Sequence, residues 1–332
     1  MSKARSTAAE LAGQYLWARD LVVSAVPKAP VVLVCGMGGS GISGDFAAAA
    51  CPDLLVAVHK GYELPGWAAL VRPLVVAVSY SGNTEETRSA AEQASEWGLP
   101  LAVVSSGGAL GAQASEKGWP LVLVPGGLQP RDAFGYLVGG LLRLLESGGM
   151  IADQTQALEE AAGVVGELVG DAEGGPAAEL AADLAEGLSG RMVLIHGAEG
   201  VTKPVAQRWK TQINENAKRP AFWSTLPELD HNEIVGWRAL EPLTRRALGL
   251  VQLRDRFEHP RVARRFALTR DLIGDGMSAV GEVWSQGESR LARMAGLCVV
   301  GDLLSVLLAE QEGVDWVEID AITELKARLA EE

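Results

Sequence analysis

Histidine and cysteine are scarce in this chain, with four of the first and three of the second in 332 residues. The cysteines, Cys35, Cys51 and Cys298, are odd in number, lie in apolar surroundings and show no metal-type spacing. They read as reduced core residues, which excludes a disulfide framework. No HExxH pattern occurs, so a metal-free protein is expected. Positive charge is also short: 29 Lys and Arg stand against 42 Asp and Glu, a net charge of −13. That balance argues against a nucleic-acid binder, whose phosphate contacts need a basic face. Long apolar runs are missing too. No stretch approaches the roughly 18–20 uninterrupted apolar residues of a membrane span. The first twenty residues have no apolar core of signal-peptide length and read as an amphipathic helix. A cytoplasmic protein with no membrane partner is the expectation.

What is present points to an α/β fold. From Pro30 to about Glu146, short apolar runs (PVVLVCG, LLVAVHKG, PLVVAVSYSG, LPLAVVSSGG, WPLVLVPGG) alternate with helical stretches such as TEETRSAAEQASEWG. That alternation predicts a parallel sheet with helices on both faces. Residues 151–190, rich in Ala, Glu and Leu and split by a GGP break, read as two helices. A second series starts at RMVLIHG, with a long helix around TKPVAQRWKTQINENAK, then ALGLVQLRD, a helix after HPRV, SAVGEVWSQG and a long final helix. The expectation is two doubly wound domains in tandem, residues 1–150 and 151–332. MVLIHGAEG in the second half parallels VVLVCGMGGSG in the first but lacks its GGSG.

That first loop, Gly36 to Gly41, suits a phosphate, because backbone N–H groups after a strand can turn onto an anion at the positive end of a helix. Three ligands compete. A nucleotide P-loop needs GK[ST], but Ile42 follows Gly41. The dinucleotide pattern G-x-G-x-x-G is matched by Gly36, Gly38 and Gly41, but the second strand ends in His59 and Lys60 rather than an acid. A sugar phosphate is favoured by a second loop, SYSGNTEET, which offers the hydroxyls of Ser79, Ser81 and Thr84 at the next strand end. Serine caps alone would explain either loop singly. Two such loops at successive strand ends, with Gly38, Gly39 and Ser40 in the first, form a cage of amides and hydroxyls.

This serine-and-glycine pattern resembles the sugar isomerase (SIS) fold. QRWKTQINENAK, PELDHNEIVGW and LRDRFEHPRVARRFALT resemble the bifunctional phosphoglucose/phosphomannose isomerase family, a likeness running from the Gly36 loop to the final helix. The resemblance implies two SIS-type domains and an aldose–ketose isomerase of hexose 6-phosphates that uses no cofactor. It implies roles as well: Glu215 as the general base, buried; His231 as the ring-opening group, reaching the site of a neighbouring subunit in a homodimer; and Arg131 as the cation beside the enediolate. Without the resemblance, Arg131 reads as a surface arginine and His231 as a structural hydrogen-bonder. The stripe Arg208, Thr211, Gln212 and Glu215, at helical offsets, would then be a solvated face.

One departure stands out. The family carries a lysine near the end of the last helix, and counting on GDLLSVLLAEQEGVDWVEID puts Glu310 or Gln311 there, with no lysine between Lys218 and Lys326. Two alternatives therefore stay open. One is a non-catalytic sugar-phosphate sensor; the other is an isomerase of another phosphosugar. An aminosugar synthase would need a glutaminase domain, for which there is no room before residue 30.

Overall fold

The computed structural model describes residues 3–171, 174–329 and 331. Contacts divide the chain into two compact units, chiefly Ser6–Glu167 with Gln286–Gly296, and Leu168–Ser285 with Leu297–Glu332.

Helix α1 (Lys3–Arg19) opens the chain and buries Ala8, Leu11, Tyr15 and Ala18, positions that recur on one helical face. Strands and helices then alternate: β1 (Val31–Cys35), α2 (Gly38–Ala50), β2 (Leu55–His59), α3 (Trp67–Val71), β3 (Leu74–Ser79), α4 (Glu85–Glu96), β4 (Leu101–Ser105), α5 (Gly108–Lys117), β5 (Leu121–Leu123) and α6 (Phe134–Ser147). All five strands pair in parallel, in the order β2-β1-β3-β4-β5. Every residue of β3 and β4 is buried, which is why these strands read as unbroken apolar runs. From β1 the chain goes to β2 on one side, then returns to β3 on the other. Loops leaving adjacent strands in opposite directions open a crevice at their carboxyl ends, where ligands of such sheets bind.

Helices α7 (Thr155–Val169) and α8 (Pro176–Gly187) follow, with the GGP break between them. The second unit contains β6 (Met192–Ala198), α9 (Thr202–Ala217), β7 (Ala221–Leu226), two 3-10 turns (Glu228–His231 and Glu233–Arg238), α10 (Glu241–Ala247), β8 (Leu248–Arg254), α11 (Pro260–Ile273) and β9 (Ala279–Trp284). Its parallel sheet has the order β7-β6-β8-β9, which repeats the first sheet without its last strand. The fold is therefore the expected pair of doubly wound parallel sheets. The sequence pattern missed β7, because AFWSTL is an edge strand with Phe222 exposed and no unbroken apolar run.

Helix α12 (Arg290–Glu312) is long and apolar enough to cross a membrane, with a mean hydropathy of 1.9 over 18 residues, yet 89% of that window is buried in the protein. It is a core helix. It is also not the last one: after Gly313 the chain forms α13 (Asp320–Leu329). Cys35, Cys51 and Cys298 are free and buried, and burial pushes the Cys35 thiol up to about 12.

Candidate active site

Two loops meet at the crevice of the first sheet. Helix α2 begins at Gly38, so the amides of Gly38, Gly39 and Ser40 form its first turn and lack intrahelical partners. Glycine is required here for two reasons. Gly38 has φ 51°, and a Cβ on Gly41 would lie 2.5 Å from the Gly36 carbonyl oxygen. From the neighbouring loop, the Tyr80 N–H donates to Ser40 Oγ at 3.3 Å, Ser79 Oγ donates to Thr84 Oγ1 at 3.0 Å, and the Asn83 N–H donates to Ser81 Oγ at 3.2 Å. Ser40, Ser79, Ser81 and Thr84 thus belong to one small region, as the sequence pattern requires.

Arg131 follows β5 and is 4% exposed, so it is not a surface arginine. A Cβ on Gly39 would come 4.0 Å from the Arg131 Cα, which places the arginine's backbone against the glycine loop. Tyr80, which the sequence reading passed over although it lies inside SYSG, organises this end of the sheet. Its hydroxyl donates to Pro125 O and accepts from Leu128 N–H, both at 3.0 Å, and its carbonyl accepts from Ser106. It therefore holds the segment leading to Arg131.

In the second unit, Glu215 lies near the end of α9 and is half-buried rather than buried. It lines a hollow of about 530 Å³ with Asn214, Lys218, Val314, Asp315 and the start of α13. Lys218 Nζ donates to the carbonyls of Glu215 and Asp315, each at 2.7 Å, tying the end of α9 to the segment before α13. The polar stripe on α9 is not a solvated face. Arg208 Nη2 and Gln212 Nε2 donate to the two Asp302 oxygens at 2.8 and 2.9 Å, and Asn216 Nδ2 donates to Ser305 Oγ at 2.8 Å. A lone acid in the apolar run GDLLSV was the signal for Asp302: an acid there needs a buried partner. Trp209 packs on Gly301 and donates to Leu297 O at 2.9 Å, a core role.

His231 ends the first 3-10 turn and is exposed. Its neighbour Asp230 is held by Arg265 Nη1 and Thr269 Oγ1, each at 2.7 Å, on α11. The premise of the expected lysine gap, that α12 is the last helix, does not hold. On α12, Gln311 donates to Ala185 O at 3.1 Å. The last helix is α13, and Lys326 lies near its end, one turn beyond Ile322, which lines the Glu215 hollow.

Residues 177–329 match the family model of the bacterial phospho-glucose isomerase C-terminal SIS domain. The bifunctional phosphoglucose/phosphomannose isomerase of Caldicellulosiruptor bescii is 38% identical over 90% of this chain and 89% of its own. Its counterpart in Aquifex aeolicus is 34% identical over 95% of both chains. Among solved structures, the C-terminal domain of glucosamine-fructose-6-phosphate aminotransferase from Francisella tularensis superposes with a TM-score of 0.67 at 13% identity, covering 94% of this chain and 96% of that one, a likeness of fold. With two SIS-type sheets and relatives of this identity over nearly its whole length, the chain belongs to the bifunctional phosphoglucose/phosphomannose isomerase family.

Proposed function

We propose that this protein interconverts glucose 6-phosphate and mannose 6-phosphate with fructose 6-phosphate, as a cytoplasmic homodimer. The observation that best supports a phosphorylated sugar as ligand is the pair of loops at the crevice of the first sheet. The Gly38–Ser40 amides and the hydroxyls of Ser40, Ser79, Ser81 and Thr84 suit a phosphate dianion at the start of a 13-residue helix. The reactions named for its relatives supply the chemistry.

An aldose–ketose step needs a ring-opened substrate and a base. His231, contributed by the second subunit, moves the ring proton, a task suited to a group that titrates near neutral pH. The Glu215 carboxylate takes the C2 proton. The C–H electron pair forms the C1=C2 bond, and the carbonyl pair moves onto O1. The resulting enediolate carries a negative charge that the Arg131 guanidinium offsets. Return of the proton from Glu215 to C1, with transfer of the O2 proton to O1 as the C2=O2 bond forms, leaves the ketose. C2 is planar in the enediolate, so aldoses epimeric at C2 converge on one intermediate. We assign the family's C-terminal lysine to Lys326, because α13 rather than α12 is the last helix; on that assignment no missing lysine favours a sensor.

The test is a coupled assay at neutral pH with fructose 6-phosphate, reading both aldose products separately. Turnover that Glu215→Gln abolishes, with ligand affinity retained, is the expected result. Tight binding of fructose 6-phosphate without turnover in the unaltered protein would replace the isomerase with a sensor or with another substrate.

A further inference from the structure

His231 is carried by two short 3-10 turns, Glu228–His231 and Glu233–Arg238. Such turns have poor hydrogen-bond geometry and little stability of their own, so their place depends on what side chains anchor them. One anchor is Asp230, held by Arg265 and Thr269 of α11. The other is Glu233, two residues beyond His231, and its anchorage is unusual.

His196 on β6 and Ser224 on β7 are register partners, side by side across two parallel strands. Together they grip both carboxylate oxygens of Glu233. His196 Nε2 lies 3.2 Å from Oε1, and the Ser224 hydroxyl donates to Oε2. His196 is 0% exposed, and its Nδ1 is buried without a hydrogen-bond partner. The ring therefore donates through Nε2, and Glu233 is its one hydrogen-bond partner among the described residues. An apolar side chain would fill a strand centre without an unmet nitrogen, so the cost of this histidine is compensated by what it holds. Burial would raise the Glu233 carboxyl, but the His196 and Ser224 hydrogen bonds outweigh it and hold that carboxyl below the usual range. The link to His231 is short: Asn232 Oδ1 accepts from the Glu233 N–H at 2.6 Å and caps the second turn, while Asn232 Nδ2 donates to Glu228 at 2.8 Å.

We infer that Glu233, clasped by His196 and Ser224, is the positioning residue that fixes His231 for its work on the sugar. The inference rests on the reading of His231 as the ring-opening group. A double-mutant cycle tests it, with kcat and KM for fructose 6-phosphate measured for Glu233→Gln, His231→Ala and the pair. Glu233→Gln is expected to lower kcat roughly ten- to a hundredfold, the cost of a misplaced reacting group, with a smaller change in KM. That cost should vanish in the His231→Ala background, because a group acting through another has nothing left to position. Equal losses in both backgrounds, or no loss at all, would overturn the inference. If His231→Ala alone is fully active, the role of His231 fails, and the inference with it, an outcome distinct from equal losses. Should Glu233→Gln not fold, as read by thermal unfolding, the same cycle with Ser224→Ala decides; a smaller loss, again confined to the background that retains His231, is expected.

Discussion

Arg208 on α9 and Asp302 on α12 form an ion pair at 2.8 Å whose side chains are 3% and 18% exposed. Gln212 shares the same carboxylate. A pair this dry is held by its geometry, and removing one member is costlier than the pair is worth. Asp302→Ala is therefore expected to destabilise the protein by about 3–5 kcal/mol, through a buried guanidinium that has lost its carboxylate. Denaturant unfolding with an unchanged slope and a lowered midpoint would register it; a shift under 1 kcal/mol would show the pair to be dispensable.

Hydrogen bonds to a charged group contribute more than neutral ones, about 1.5–3 kcal/mol each. Ser79→Ala and Thr84→Val break the 3.0 Å hydroxyl pair at the crevice of the first sheet. Each is expected to raise KM for fructose 6-phosphate by roughly ten- to a hundredfold while lowering kcat less. An unchanged KM would remove these hydroxyls from the phosphate site.

Lys326→Ala bears on ring opening. Positioned acid–base groups contribute typically about 10²–10⁴-fold, so a kcat loss in that range is expected, with melting temperature preserved because the side chain is exposed. Gln311→Lys, on α12, should restore nothing. Full activity in Lys326→Ala would return the lysine to a surface role.

Acid should weaken the Glu233 clasp. The Glu233 carboxyl is held below its ordinary value in the folded protein, so the unfolded chain binds more protons as pH falls. The stability that the clasp contributes is complete above the ordinary glutamate value of about 4.3 and is lost as pH drops through the lowered folded value. Melting curves of the protein and of Glu233→Gln, taken from pH 7 downward, should converge in that window. A constant gap would mean that the carboxylate charge does not matter.

The alternation of apolar runs and helical stretches announced both sheets because strands buried on both faces leave continuous Val-, Leu- and Ala-rich segments. Edge strand β7 left no such trace. The GGSG and SYSG loops were legible because glycine and serine there serve backbone geometry at a helix start. Helical periodicity put Arg208, Gln212 and Glu215 on one face of α9. It could not say that α12 covers Arg208 and Gln212 while Glu215 lines a hollow, since the covering residues are some ninety positions away, as Asp302 is from Arg208. Lys326 lies on α13, a separate helix that the sequence pattern of one long final helix did not distinguish.

By itself, then, the sequence determined the fold class, the phosphate-type loops and the identity of the chemical groups, because these rest on local patterns of two to four residues. Tertiary structure alone decided which polar groups are dry, that His196 and Ser224 stand side by side to clasp Glu233, and that Arg131 is buried beside the glycine loop. Those facts depend on strand register and helix packing between residues far apart in the chain, and no local pattern encodes them.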